Sequence, residues 1–233
     1  MTALTPTAKP SQPFYPSADG EPVAETYAHL YALLTTLEVL RQYLKDRQAT
    51  VLGNQFLYYA QGFPKLRVAP DVMVIFEVEP GGRDNYKIWE EGQVPVVIFE
   101  MTSGGTQSQD TGFKKTLYEQ LEVPEYWLFD PKGEWIEERL QGYRLRGESY
   151  ELITDSRSKP LGLRLAVEGE LIGFYREDTG EKLLIPDELV EALQVEVKAR
   201  QQAEERAEQA EERAKQMEDL LARYRERFGE LPE

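Results

Sequence analysis

The segment Val94-Pro-Val-Val-Ile-Phe-Glu-Met101 restricts the fold more than any other part of the chain. Its apolar residues leave no polar face until Glu100, and Gly104-Gly105 break the run. A strand apolar on both alternating sets of side chains must be covered on both sides. It therefore belongs inside a sheet with further layers above and below. Glu100 then ends a buried strand, where a carboxylate is costly unless something cationic neutralises it.

The flanking sequence supplies the neighbours. Residues 24–46 predict a helix, with Tyr27, Leu30, Tyr31, Leu34, Leu37, Leu40, Tyr43 and Leu44 recurring at steps of three and four. Residues 50–59 and 67–76 predict two strands separated by Gly62 and Pro64. Residues 109–121 predict a second helix, with Phe113, Leu117 and Leu121 on its apolar side, and residues 125–130 a fourth strand ended by Pro131. Residues 134–175 fall into short runs punctuated by glycines, which predicts antiparallel hairpins. The expected class is α/β: helix, three strands, helix and strand around a mixed sheet, with a hairpin extension and a long C-terminal helix.

Three segments follow from this reading. Residues 1–22 carry five prolines and predict an extended or disordered arm. Residues 23–180 form the folded domain, and residues 186–230 a helix that is partly coiled coil. In that helix Ala203, Ala207, Ala210, Ala214, Met217, Leu221, Tyr224 and Phe228 alternate steps of four and three. The seam predicts a homodimer or higher oligomer. Alanine buries little area, so the pairing is expected to be weak; the other reading is a solvated helix.

Composition removes much chemistry. The 233 residues include no cysteine and one histidine, His29. Thiolate metal sites, cysteine nucleophiles and two-histidine zinc sites are excluded. Lys and Arg number 27 against 42 Asp and Glu, a net charge of −15, which argues against indiscriminate nucleic-acid binding. No apolar run approaches a membrane span, and the N-terminus lacks a leader pattern, so no membrane partner and a cytoplasmic location are expected.

Asp71 lies early in the second strand and Glu100 at the end of the third. If those strands are antiparallel neighbours, the two carboxylates meet at one sheet edge. Mg²⁺ or Mn²⁺ between them is one way to neutralise the pair, and a salt bridge to Arg or Lys is the other.

These residues resemble a known pattern. Pro70-Asp71 followed by Glu100-Met101-Thr102 is similar to the signature of the PD-(D/E)XK nuclease superfamily, and the closer resemblance is to the Uma-type endonuclease family. It rests on Val68-Ala-Pro-Asp-Val-Met-Val, Val97-Ile-Phe-Glu-Met-Thr-Ser, the helix bearing Asp110, Lys114 and Tyr118, and Val123-Pro-Glu-Tyr-Trp-Leu-Phe-Asp-Pro131. Ala24-Glu-Thr and the Glu/Arg/Ala-rich tail also match one subgroup. The resemblance implies a restriction-endonuclease-like core and metal-dependent hydrolysis of phosphodiester bonds in DNA. Asp71 and Glu100 would hold the ion, helped by the Met101 carbonyl, with Glu25 a third acidic candidate or simply a carboxylate at a helix N-terminus.

One departure stands out. The superfamily's lysine lies two residues after the glutamate, where this chain has Thr102. The resemblance places the lysine on the following helix, at Lys114. Asp110, Lys114 and Tyr118 are spaced four apart and share one face. The alternatives are Lys115, if the helix is rotated, or a mere surface pair of Asp110 with Lys114, worth about 0.3–0.5 kcal/mol. Thr102 to Gly105 form a turn whose amides suit phosphate oxygens, or only a connecting loop. Lys65, Arg67, Arg83 and Lys87 lie in the same stretch as candidates for tracking a phosphate backbone, and Tyr58, Tyr59, Tyr86 and Trp89 are either stacking or core residues. His29 reads as a hydrogen-bonded helix residue or a site contact. The competing function is a nuclease fold without activity, serving in DNA or protein binding and oligomerisation.

Overall fold

The structure is a computed structural model that describes residues 13–20 and 25–229. The first twelve residues of the predicted arm, together with residues 21–24, lie outside them. The chain divides into two compact units, one ending at Ile185 and one beginning at Pro186.

The first unit opens with helix α1 (Tyr27–Tyr43), capped by Thr26, whose hydroxyl accepts the His29 N–H at 3.4 Å. Strands β1 (Ala49–Gly53), β4 (Val72–Phe76), β6 (Val97–Met101), β7 (Glu125–Phe129), β8 (Leu140–Arg146) and β9 (Ser149–Ile153) form a six-stranded sheet in the order β1-β4-β6-β7-β8-β9. Only β6 and β7 are parallel; the other pairs are antiparallel. The sheet is mixed, as expected. The two long strands predicted at 50–59 and 67–76 are each broken. Their outer pieces, β2 (Leu57–Tyr58) and β3 (Arg67–Val68), join β5 (Tyr86–Lys87) in a small separate sheet. Pro70 has no N–H to donate to a ladder, and Asn54 turns the other strand with φ 57°.

Alternation along the central strands builds two cores. Val97, Phe99, Met101, Trp127 and Phe129 pack on one face against α1 and a four-stranded sheet, β10 (Arg157–Ser158), β11 (Leu163–Glu168), β12 (Leu171–Arg176) and β13 (Lys182–Leu183). Ile98, Tyr126 and Leu128 pack on the other face, against Leu117, Tyr118 and Val123 and against the small sheet. Both faces of β6 are therefore covered.

Two helix faces differ from expectation. On α1 the buried residues include Ala28, His29, Ala32, Leu33, Thr36 and Val39, while Tyr27, Leu30 and Leu34 are exposed. Small side chains let the first half of the helix lie close to the sheet and turn Tyr27, Leu30 and Leu34 outward, whereas Leu40 and Leu44 of the predicted stripe are buried. The predicted second helix begins as a π-helical stretch, Gln109–Lys114, and becomes α-helical only in α3 (Lys115–Gln120). The wider turn carries Phe113 off the apolar side, leaving it exposed.

Residues 13–20 run without regular structure along the small sheet. Tyr15 packs edge-on to Tyr58, the Tyr58 hydroxyl donates to the Pro16 carbonyl at 2.6 Å, and the Gly62 N–H donates to the Tyr15 hydroxyl at 2.6 Å. A four-residue helix, α2 (Ile88–Glu91), follows β5.

The second unit is α4 (Pro186–Phe228). Asp187 and Glu188 stand at its positive end. Ala203, Ala207, Ala210, Ala214 and Met217 lie exposed along it. No helix among the described residues is long and apolar enough to cross a membrane.

Candidate active site

The register of β4 on β6 pairs Val72 with Phe99, so the next step sets Asp71 opposite Glu100. The two residues are linked through the backbone. The Asp71 N–H donates to Glu100 Oε2 at 3.3 Å, and Asp71 Oδ2 accepts the Met101 N–H at 2.6 Å. Met101 thus meets Asp71 through its amide.

The π turn brings the cation. Lys114 Nζ donates to Glu100 Oε2 at 2.9 Å and lies 3.0 Å from Asp110 Oδ1, with both carboxylates about 1% exposed. The pair is buried rather than a surface pair. Tyr118, one helical turn on, donates to Glu100 Oε1 at 2.8 Å, and the Tyr126 hydroxyl donates to the Asp110 carbonyl at 3.0 Å. Lys115 points elsewhere, over the Tyr143 ring at 3.9 Å. Asp110, Lys114 and Tyr118 do share one face, although the first turn is π-helical.

The third contribution comes from α1. Glu25 lies just outside the helix, ahead of the Thr26 cap. His29 Nε2 stands 3.1 Å from Glu25 Oε2 and 3.6 Å from Asp71 Oδ2. His29 is therefore a site contact, because the buried face of α1 is the one that carries it. Glu25 reaches Asp71 through His29.

The charges of this cluster shape its protonation. Burial pushes the Glu100 carboxyl up to about 8, with Asp71 and Asp110 acting in the same sense and Lys114 opposing them. Burial works against the Lys114 ammonium, but Glu100 and Asp110 more than reverse it and hold Lys114 above its ordinary value. Burial also disfavours the charged form of His29, yet the facing Asp71 carboxylate and the charges of Glu25 and Asp110 leave it raised. The Tyr118 hydroxyl is pushed up by burial and by the Glu100 charge, so it remains a donor.

Four carboxylates thus face one ammonium and one imidazole. Both side-chain oxygens of Asp110 are buried without a hydrogen-bond partner, and Oδ1 has only the Lys114 ion pair. Among the described residues no three carboxylate or histidine side chains form a cage for a metal ion. Mg²⁺ does not need one: it is held by one or two carboxylates and keeps several waters. The hard oxygen donors and the excess negative charge fit such a cation.

Other residues singled out from the sequence sort clearly. Thr102 is buried, and its hydroxyl has no hydrogen-bond partner. The Ser103 N–H is used locally, donating to the Thr106 hydroxyl at 3.1 Å. Arg67 sits over Phe56, Arg83 pairs with Glu91, and Lys87 with Glu90, so these residues do not form one continuous basic track. Tyr58 and Tyr86 are core residues. Tyr126 also belongs to the site: the two-residue period of β7 places it on the Glu100 face of the sheet. Trp135, described below, lies in a loop where periodicity offers no signal.

The Uma2 family, described as "Putative restriction endonuclease", matches residues 6–171. A solved structure described as "a putative nuclease belonging to DUF820 from Anabaena variabilis ATCC 29413" is similar over 61% of this chain and 77% of its own, with 18% identity and a TM-score of 0.41. Among curated proteins none matches.

Proposed function

The chain belongs to the Uma2 family, and from that premise we propose that it is a metal-dependent endonuclease hydrolysing phosphodiester bonds in DNA. The observation that carries the reading is the juxtaposition of Asp71 and Glu100 across β4 and β6, with the Lys114 ammonium 2.9 Å from Glu100. Asp71 and Glu100 would hold Mg²⁺ or Mn²⁺. When bound, such an ion would polarise the scissile phosphate and lower the pKa of a bound water.

The chain's own groups do the rest. Lys114 stays protonated and brings positive charge to a phosphate whose negative charge grows during attack. Asp110 and Glu100 hold its ammonium from two sides, and Tyr118 fixes Glu100. His29, between Glu25 and Asp71, orients the Asp71 carboxylate. Lysine delivered from the helix after the strand supplies the charge that Thr102 lacks.

A second reading is favoured by one observation. Both Glu100 oxygens are already engaged, by Lys114 and Tyr118. A nuclease fold with this ion pair permanently closed would bind DNA or protein without cutting. We also propose self-association through α4, supported by its exposed heptad seam.

Conversion of supercoiled plasmid DNA separates the two readings. An active enzyme nicks or cuts it with Mg²⁺ or Mn²⁺, stops with a chelator, and loses activity in Asp71→Asn. A binding module shifts DNA in a salt-dependent way that survives Asp71→Asn and never cuts.

A further inference from the structure

A recess of about 70 Å³ opens beside the acid–lysine centre, between His29 on α1, the loop after β6 and the loop after β7. Strands β6 and β7 are parallel and pair Met101 with Phe129, so both loops leave the sheet at the same edge. The crevice beyond the carboxyl ends of parallel strands is where open α/β sheets take ligands.

The loop after β7 is rigidly built. The Asp130 carboxylate, about 1% exposed, accepts the N–H groups of Lys132, Gly133, Trp135 and Ile136. These bonds pin the Trp135 backbone while its side chain remains 47% exposed. The indole lies against Gly104, where a Cβ would come within 2.9 Å of Cζ2. Only glycine admits that approach. A half-exposed indole carried on a rigid loop is a platform for base stacking.

Inside the recess two buried polar atoms lack hydrogen-bond partners, Thr102 Oγ1 and His29 Nε2, on residues 2% and 6% exposed. His29 Nε2 has its neighbouring carboxylates, but the Thr102 hydroxyl has none of these. A buried hydroxyl left unpaired is costly.

We infer that this recess and Trp135 form a nucleotide subsite, in which Trp135 stacks an unpaired base next to the scissile phosphate. The inference rests on the nuclease reading and names the form of its substrate. The recess is lined by Asp130 and Glu134 as well as by Lys132, so the phosphate stays outside it and the base lies on the indole. In a continuous duplex both faces of each base are covered by neighbours. The platform therefore selects a single strand, an overhang or an extruded base.

The test is binding by the full-length wild-type protein in chelator, where cutting cannot occur. Labelled single-stranded DNA, an abasic strand of equal length and a duplex of the same sequence are compared by anisotropy. Stacking predicts that wild type prefers the base-bearing strand to the abasic one by at least fivefold. Trp135→Ala should weaken single-strand binding about 5- to 150-fold and abolish that preference, while Trp135→Phe keeps most of it. Equal affinity of wild type for base-bearing and abasic strands overturns the inference, even if Trp135→Ala fails to fold. So does a Trp135→Ala affinity within twofold of wild type, or no binding to any strand. Trp135-dependent binding without metal-dependent cutting would leave the subsite standing and remove the nuclease reading.

Discussion

Lys114 reaches across from a π-helical turn to place its ammonium 2.9 Å from Glu100, a carboxylate on a neighbouring strand that is about 1% exposed. Neither residue is easily replaced alone. Removing one partner of a buried pair leaves the other charge unbalanced and typically costs about 3–5 kcal/mol. Lys114→Met is therefore expected to lose about 3 kcal/mol of stability at pH 8, measured by urea unfolding, and about 100-fold or more in DNA cleavage. A variant with full stability and full activity contradicts the role.

Tyr118 donates to Glu100 from within the core. Tyr118→Phe keeps the ring and deletes that bond, which is charge-assisted whenever Glu100 is ionised. A loss of about 1.5–3 kcal/mol is expected, with a smaller drop in cleavage than Lys114→Met gives. Denaturant melts and plasmid assays on the two variants check the order.

Stability should fall as pH rises from about 5 to about 8. Glu100 has an ordinary value of 4.5 and is raised to about 8 when folded, so between those values the native state holds more protons than the unfolded one. His29 acts in the same direction: its gain is complete below its ordinary 6.5 and is lost as pH passes its raised folded value. Thermal melts across this range should show a declining Tm, flattened in Glu100→Gln. His29→Asn should flatten only the part above 6.5. A Tm that climbs through the window would contradict the electrostatics of the site.

Much of this centre is legible in the sequence, and the reasons are local. Opposition of Asp71 and Glu100 follows once the two strands are taken as antiparallel, because side-chain period and register then leave little choice. Lys114 comes from the family resemblance, and four-residue spacing adds that Asp110, Lys114 and Tyr118 share a face. His29 is not legible in this way, since the larger residues of α1 suggest a face that the close-packing Ala28, Ala32 and Thr36 override. Phe113 is misplaced because nothing in Gln109–Lys114 announces a π turn; that turn is stabilised by contacts of Lys114 and Tyr126 far away in sequence. Trp135 belongs to a loop set by the hydrogen bonds of a single buried aspartate.

Gly142 offers a check on the fold independent of function. A Cβ there would sit 2.5 Å from the Trp127 ring, in the middle of two paired strands. Gly142→Ala should cost about 1–3 kcal/mol by overpacking, whereas Gly147→Ala in the exposed β8–β9 turn meets no atom and is strained only by its φ of 62°. Comparative unfolding of the two variants, with Gly142→Ala no worse than wild type, would argue against this packing.

The helix α4 makes a separate prediction. Met217→Lys together with Ala210→Lys places charges on the heptad seam, so the sedimentation mass should fall to that of one chain while cleavage per chain persists. An unchanged mass, whether monomeric or oligomeric in both proteins, removes the seam's proposed role.

The most direct measurement is calorimetric titration of Mn²⁺ into wild type, Asp71→Asn and Glu100→Gln, each first shown to be folded. One ion per chain is expected for wild type, with either substitution weakening it about 10-fold or more. Wild type that takes up no ion, or variants that bind as tightly as wild type, would contradict the claim that these two carboxylates form a cation site.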